Sequence, residues 1–178
     1  MHEGSWVPVH RGRSTRRRRI RIKVLPPVPD GVRHPMNEKR IVGRVHDFFH
    51  KEIGAGSPKA FCTECWQGDW GGRADLAFIR SRSDNLHVVE AKASLDGAFK
   101  AIEQLRKYPA NYWWIALPAD EYVPGAGLLK AASEEGIDVL IVHDRLREPV
   151  EVKRKPGYEA GDYLGEWPRL EREWYETG

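Results

Sequence analysis

Apolar and polar positions alternate with two different periods along residues 36–143, and the order of those stretches predicts the fold. Ile41, Val45, Phe48 and Phe49 recur at helical spacing behind Asn37, a suitable N-cap. The spacing predicts a helix that fades by Gly54–Pro58. Three short runs of strand character follow, Lys59–Trp66, Arg73–Arg80 and Leu86–Lys92, separated by the polar turns Gln67–Gly72 and Ser81–Asn85. Short polar turns between apolar runs imply an antiparallel meander. Phe99, Ile102 and Leu105 then give an inner edge to a helix over Gly97–Tyr108. Asn111–Leu117 and Gly136–His143 are dense apolar runs with a short helix, Leu128–Glu135, between them, so both read as buried strands, the first of them parallel. The expected class is α/β: an αβββαβ core with a mixed central sheet flanked by helices.

The two ends break this pattern. Residues 1–35 form an Arg/Pro-rich arm, residues 36–154 the core, and residues 155–178 a tail rich in acids and aromatics. In the arm, Ile20, Ile22 and Val24 would allow a short strand over Arg19–Leu25 that Pro26, Pro27 and Pro29 stop. In the tail, Trp167, Leu170 and Trp174 would share one face of a helix starting at Pro168, and packing on the body is the favoured reading.

Charge sharpens that division. The net charge is +3 over 178 residues, but the arm holds nine Lys or Arg against Glu3 and Asp30, so the body is mildly acidic. A basic arm on an acidic body suits phosphate binding through Arg16, Arg17, Arg18, Arg19 and Arg21, without reading of sequence. The length suits one domain with a sizeable core. No apolar run approaches the ~20 residues that cross a bilayer, so no membrane partner is expected. The N-terminus lacks the apolar stretch of a secretory signal. With Cys62 and Cys65 the only cysteines, a disulfide framework is not expected and a reducing cytoplasm is the default location.

The candidate chemistry lies in two strands. Asp75 opens one, and Glu90 and Lys92 close the next. Strand parity places Glu90 and Lys92 on one face and His87, Val89 and Ala91 on the other. Charges set this deep in an apolar run are costly unless partnered. A Mg²⁺ (or Mn²⁺) ion between Asp75 and Glu90, with the Ala91 backbone carbonyl as a further ligand, would supply the reason. Lys92 would then orient or activate water and balance phosphate charge.

Asp75 followed by Glu90-Ala91-Lys92, on a hairpin between two helices, resembles the PD-(D/E)XK nucleases. That superfamily includes restriction endonucleases, archaeal Holliday-junction resolvases and RecB-like exonucleases. Gln104 and Tyr108 match the Q-x-x-x-Y element of the RecB-like branch and, at i and i+4, would share a helix face near the scissile strand. The resemblance covers about residues 36–143 and implies a restriction-endonuclease-like fold and a Mg²⁺-dependent deoxyribonuclease. It also implies a metal ligand on the first helix, Glu38 or in reserve Glu52. The naming proline is replaced by Ala74, and two cysteines do not support the iron–sulfur cluster of some members. Many small members act as dimers, so a homodimer or a partner protein is an open expectation. Two alternatives stand beside DNA cleavage: a catalytically silent nucleic-acid-binding or assembly module, and an RNA-processing nuclease. Intact Glu90 and Lys92 argue against the silent module.

Two further groups have functional chemistry. His46, His50, Cys62 and Cys65 are zinc-type ligands, but cysteines three apart on a strand face opposite ways, so a structural zinc is not favoured unless Thr63-Glu64 turns. Trp66, Trp70, Trp113 and Trp114 raise base stacking. Trp70, in a Gly-rich turn near Asp75, is the preferred candidate, because Trp113 and Trp114 fall in a buried strand. No Gly-rich phosphate loop of the P-loop type is present.

Overall fold

The computed structural model describes residues 35–52, 60–68, 72–80, 84–144, 150–153 and 157–177. The expectations for the arm, including Arg16–Arg19 and Arg21, and for Trp70 lie outside these residues.

The described chain is an α/β structure. Helix α1 (Glu38–Glu52) leads into strands β1 (Ala60–Trp66), β2 (Arg73–Ile79) and β3 (Leu86–Ala91). Helix α2 (Leu95–Leu105), β4 (Tyr112–Pro118), α3 (Leu128–Glu134), β5 (Asp138–Val142), β6 (Val150–Val152) and α4 (Pro168–Thr177) follow. The six strands form one mixed sheet in sequence order. β1–β2–β3 is an antiparallel meander, β3–β4–β5 is parallel through the crossovers α2 and α3, and β6 closes antiparallel on β5.

The ends of the elements follow local chemistry. Asn37 caps α1 as expected: its Oδ1 accepts the Arg40 amide at 2.9 Å, one of the donors a helix start leaves unpaired. Ser94 caps α2 through the Gly97 amide, so that helix begins two residues earlier than the pattern suggested. It also ends earlier, at Leu105. Tyr108 therefore lies in the turn after α2, not one helical turn along from Gln104. β6 was not expected. It has three residues, two of them exposed, beside Pro149 in a charged stretch, too short for periodicity to register.

The core has two layers. On one face of the sheet, Met36 and the α1 residues Ile41, Val45 and Phe49 pack against Leu76, Phe78, Val89, Trp114 and Leu140. On the other, α2, α3 and the tail pack against Ala60, Cys62, Cys65, Ala77, Val88, Ile115 and Val139. The tail joins this second layer: Trp167 and Leu170 are fully buried, and the Trp167 indole donates to the Pro109 carbonyl at 2.9 Å. Asn111, buried at the entry to β4, fixes the segment before it by donating to the Glu159 and Gly161 carbonyls.

β1 departs from strict alternation. Glu64 has φ 48°, the left-handed region that non-glycine residues seldom adopt. That rotation puts Cys62 and Cys65 on the same face. Both are buried, their Cα atoms lie 5.4 Å apart, and they are joined in a disulfide. The expectation that the two point to opposite faces and stay unpaired is therefore corrected. Among the described residues no helix is long and apolar enough to cross a membrane. His46 and His50 lie on the other side of the sheet against Phe61, His46 tilted to its ring at 4.6 Å and His50 stacked on it at 4.7 Å, so the four zinc-type ligands do not converge.

Candidate functional site

The β2–β3 ladder runs from Ile79–Leu86 to Leu76–Val89. The next facing pair in this register would be Asp75 and Glu90. There the backbone pairing gives way to a side chain: the Ala91 amide donates to Asp75 Oδ2 at 2.8 Å. Asp75 thus closes the open end of the hairpin at the point where Glu90 and Lys92 emerge. Lys92 itself is tied down by its amide, which donates to the Ala116 carbonyl of β4 at 2.8 Å.

Three charged groups meet here. Lys92 Nζ lies 2.7 Å from Glu90 Oε2 and 4.0 Å from Asp75 Oδ2. The Glu90 side chain is 1% exposed, against 18% for Lys92 and 21% for Asp75, so Glu90 forms the floor and the other two reach solvent. Glu90 Oε1 is buried with no hydrogen-bond partner. Leaving such an atom unpaired costs about 1–3 kcal/mol. Burial first, then the neighbouring Asp75 charge, pushes the Glu90 carboxyl up to about 7 against the pull of Lys92 and of the nearby Tyr108 hydroxyl, whose single proton points to the Arg73 carbonyl and so leaves Oε1 unpaired. Burial acts to lower the Lys92 ammonium, but its hydrogen bond to Glu90 and the charges of Glu90, Asp75 and Glu38 outweigh that and raise it. Lys92 is therefore a firmly charged ammonium ion.

Gln104 and Tyr108 come together although they are not on one helix. Gln104 Nε2 donates to the Tyr108 hydroxyl, and that hydroxyl donates to the Arg73 carbonyl, each at 2.8 Å. The Tyr108 ring is 4% exposed, and burial together with the Glu90 charge raises its hydroxyl to about 12, so it stays protonated. Its role is to pin the start of β2, two residues before Asp75. The fit is close: a Cβ at position 72 would come 2.6 Å from the Tyr108 ring, which excludes any residue but glycine at Gly72 unless the ring moves.

The remaining candidates are less tightly bound to this centre. Glu38 is exposed in the first turn of α1 and reaches the site through its charge on Lys92, with no hydrogen bond there. Glu52 ends the same helix, roughly 20 Å away by helical rise. Among the described residues no group of three or more His, Cys, Asp or Glu converges as a metal cage. The donors on hand are the Asp75 and Glu90 carboxylates, hard oxygens of the type divalent cations such as Mg²⁺ take, with Ala91 between Glu90 and Lys92 in the chain. His87 lies on the opposite face of β3, stacked between Phe78 (4.7 Å) and Tyr112 (4.5 Å).

Trp113 and Trp114 are both buried, in keeping with their place in a buried strand, whereas Trp66 is 57% exposed. Sequence reasoning passed over Trp66 in favour of Trp70, and it passed over Arg73 altogether. The signal was available, because residues that end one strand and begin its antiparallel neighbour face each other across a short turn.

In comparisons with known proteins, no family model matches this chain and no curated protein sequence matches it.

Proposed function

We propose that this chain is a divalent-metal-dependent nuclease that hydrolyses phosphodiester bonds of DNA, with Asp75, Glu90 and Lys92 as its reacting centre. The observation that carries the reading is Glu90: a buried carboxylate with one unpartnered oxygen, beside a second carboxylate and a charged lysine. Burying that oxygen without a partner is unfavourable for a merely structural residue, and a cation would satisfy it.

Asp75 and Glu90 would hold the ion, with the Ala91 carbonyl as a further ligand and Glu38 as an outer charge. A bound Mg²⁺ or Mn²⁺ supplies Lewis acidity toward a phosphoryl oxygen and makes a nearby water easier to deprotonate. In this reading Lys92 orients the attacking water and offsets charge on the phosphate, a task that needs the ammonium form its acidic neighbours favour. The Asp75 carboxylate, taking the Ala91 amide, keeps the two strands in register at the reacting end. Tyr108 acts as a positioning residue through the Arg73 carbonyl, and Gln104 orients Tyr108 by donating to its hydroxyl.

The test is a cleavage panel of single-stranded, duplex, flapped and four-way-junction DNA and of RNA. Wild type and Lys92→Ala are each run with Mg²⁺, Mn²⁺ or EDTA. Metal-dependent cutting that the variant loses is the expected result, and the substrate cut separates DNA from RNA. A folded wild type that binds members of the panel and cuts none overturns the nuclease reading in favour of a binding module.

A further inference from the structure

Trp66 is the last residue of β1 and Arg73 the first of β2, and the two are cross-strand partners. The indole is 57% exposed, although large aromatic rings ordinarily bury most of their surface. The Arg73 guanidinium lies over it, 5.9 Å from the ring centroid. Among the described residues no carboxylate pairs with Arg73, and the Trp66 ring is the group its guanidinium meets. The backbone of Arg73 adjoins the candidate centre, and Trp66 is its partner across the ladder. The Arg73 carbonyl is the group that Tyr108 holds, and Asp75 stands two residues along β2, about 7 Å away by strand rise. A largely exposed aromatic ring with an arginine over one side fits a nucleobase on the uncovered ring surface and a phosphate on the cation.

We infer that Trp66 and Arg73 form a base-stacking clamp next to the reacting centre, which selects nucleic acid carrying an unpaired base beside the phosphate to be cut. Inside a duplex both faces of a base are already stacked, so no ring face is free for Trp66. Single-stranded DNA, a flap or an overhang offers one. This inference rests on the nuclease reading for its position, but its test is one of binding.

The full chain is titrated in EDTA, which prevents cutting, against a fluorescein-labelled oligothymidylate and a blunt duplex of equal length. The comparison is made at raised salt, where phosphate contacts weaken and stacking persists. Wild type should prefer the single strand. Trp66→Ala should lose about 5- to 100-fold of single-strand affinity and shift duplex affinity less than about twofold. Trp66→Phe, which keeps a ring, should recover most of the loss. In an oligonucleotide carrying one 2-aminopurine, binding should quench the probe with wild type but not with Trp66→Ala. Unchanged single-strand binding by folded Trp66→Ala overturns this inference alone. Absence of binding to either nucleic acid overturns the nucleic-acid reading together with it.

Discussion

β3 buries an ionisable side chain on each face of the sheet, and the two fare differently. His87 and Glu90 are three residues apart, 3% and 1% exposed, and each leaves one polar atom, Nε2 or Oε1, without a partner. Burial drives both toward their neutral forms, His87 down to about 3 and Glu90 up to about 7. Their surroundings diverge from there. His87 is enclosed by rings, and its Nδ1 accepts the Trp114 indole at 3.1 Å. Glu90 sits where the hairpin opens, against two groups that reach solvent. Equal burial is thus a packing cost on one face and, on the proposed reading, a prepared ligand on the other. What separates them is the position along the strand, within the ladder or at its end.

The largest expected effect tests that asymmetry directly. Glu90→Gln and Lys92→Ala should each reduce cleavage at least about a hundredfold, as loss of a reacting group does. His87→Gln, on the other face, should leave turnover within about twofold. Comparable losses from all three, measured on proteins with native circular dichroism, would erase the distinction.

The second effect is on acid stability, where the two residues pull in opposite directions. His87 titrates at 6.5 when unfolded and about 3 when folded, so its contribution is complete above 6.5 and is lost as pH falls toward 3. Glu90 titrates at 4.5 unfolded and about 7 folded, so its contribution is complete below 4.5 and is lost as pH rises toward 7. Between 4.5 and 6.5 the two slopes, each up to about 1.4 kcal/mol per pH unit, cancel in the wild type. Denaturant titrations should show His87→Gln losing stability as pH rises through that window and Glu90→Gln losing it as pH falls. Parallel curves for the two variants would refute the assignment.

A smaller effect concerns the cation. If the proposed ion is bound, proton and metal compete for Glu90, so any rise in Tm with millimolar Mg²⁺ should grow from pH 6 to pH 8 and vanish in Glu90→Gln. Occupancy at 100 times Kd corresponds to about 2.7 kcal/mol. A shift that is independent of pH would place the ion elsewhere. The smallest effect expected is that of Tyr108→Phe, which keeps the packed ring but loses the hydroxyl link to the Arg73 carbonyl. About 1 kcal/mol of stability should go, with a proportionally larger loss of turnover.

Much of this arrangement was legible in the sequence, because two periods carried it. Helical spacing set α1, and dense apolar runs set β4 and β5. Parity in β3 put Glu90 with Lys92 and turned His87 away. The illegible parts depended on single backbone choices or on distant partners. Nothing in Cys62-Thr63-Glu64-Cys65 announces that Glu64 will turn left-handed and bring the cysteines together. Gln104 and Tyr108 looked like a helical pair, but Tyr108 leaves the helix to pack its ring 5.6 Å from that of Trp167, which comes from the far tail. The depth of Glu90 depends on the layer that packs on its face of the sheet, which includes α2 and Tyr108. Strand alternation gives a direction for a side chain, and only the assembled layers decide how dry that direction is.

The bond between the Ala91 amide and the Asp75 carboxylate makes the centre observable from within. Most amides of a sheet are held by carbonyls that cannot change charge. This one is held by a group that a proton or a cation would recruit. The Ala91 amide resonance and its hydrogen-exchange rate should therefore report on whatever occupies the Asp75 oxygens, so that one backbone nucleus can follow ligation with no added label.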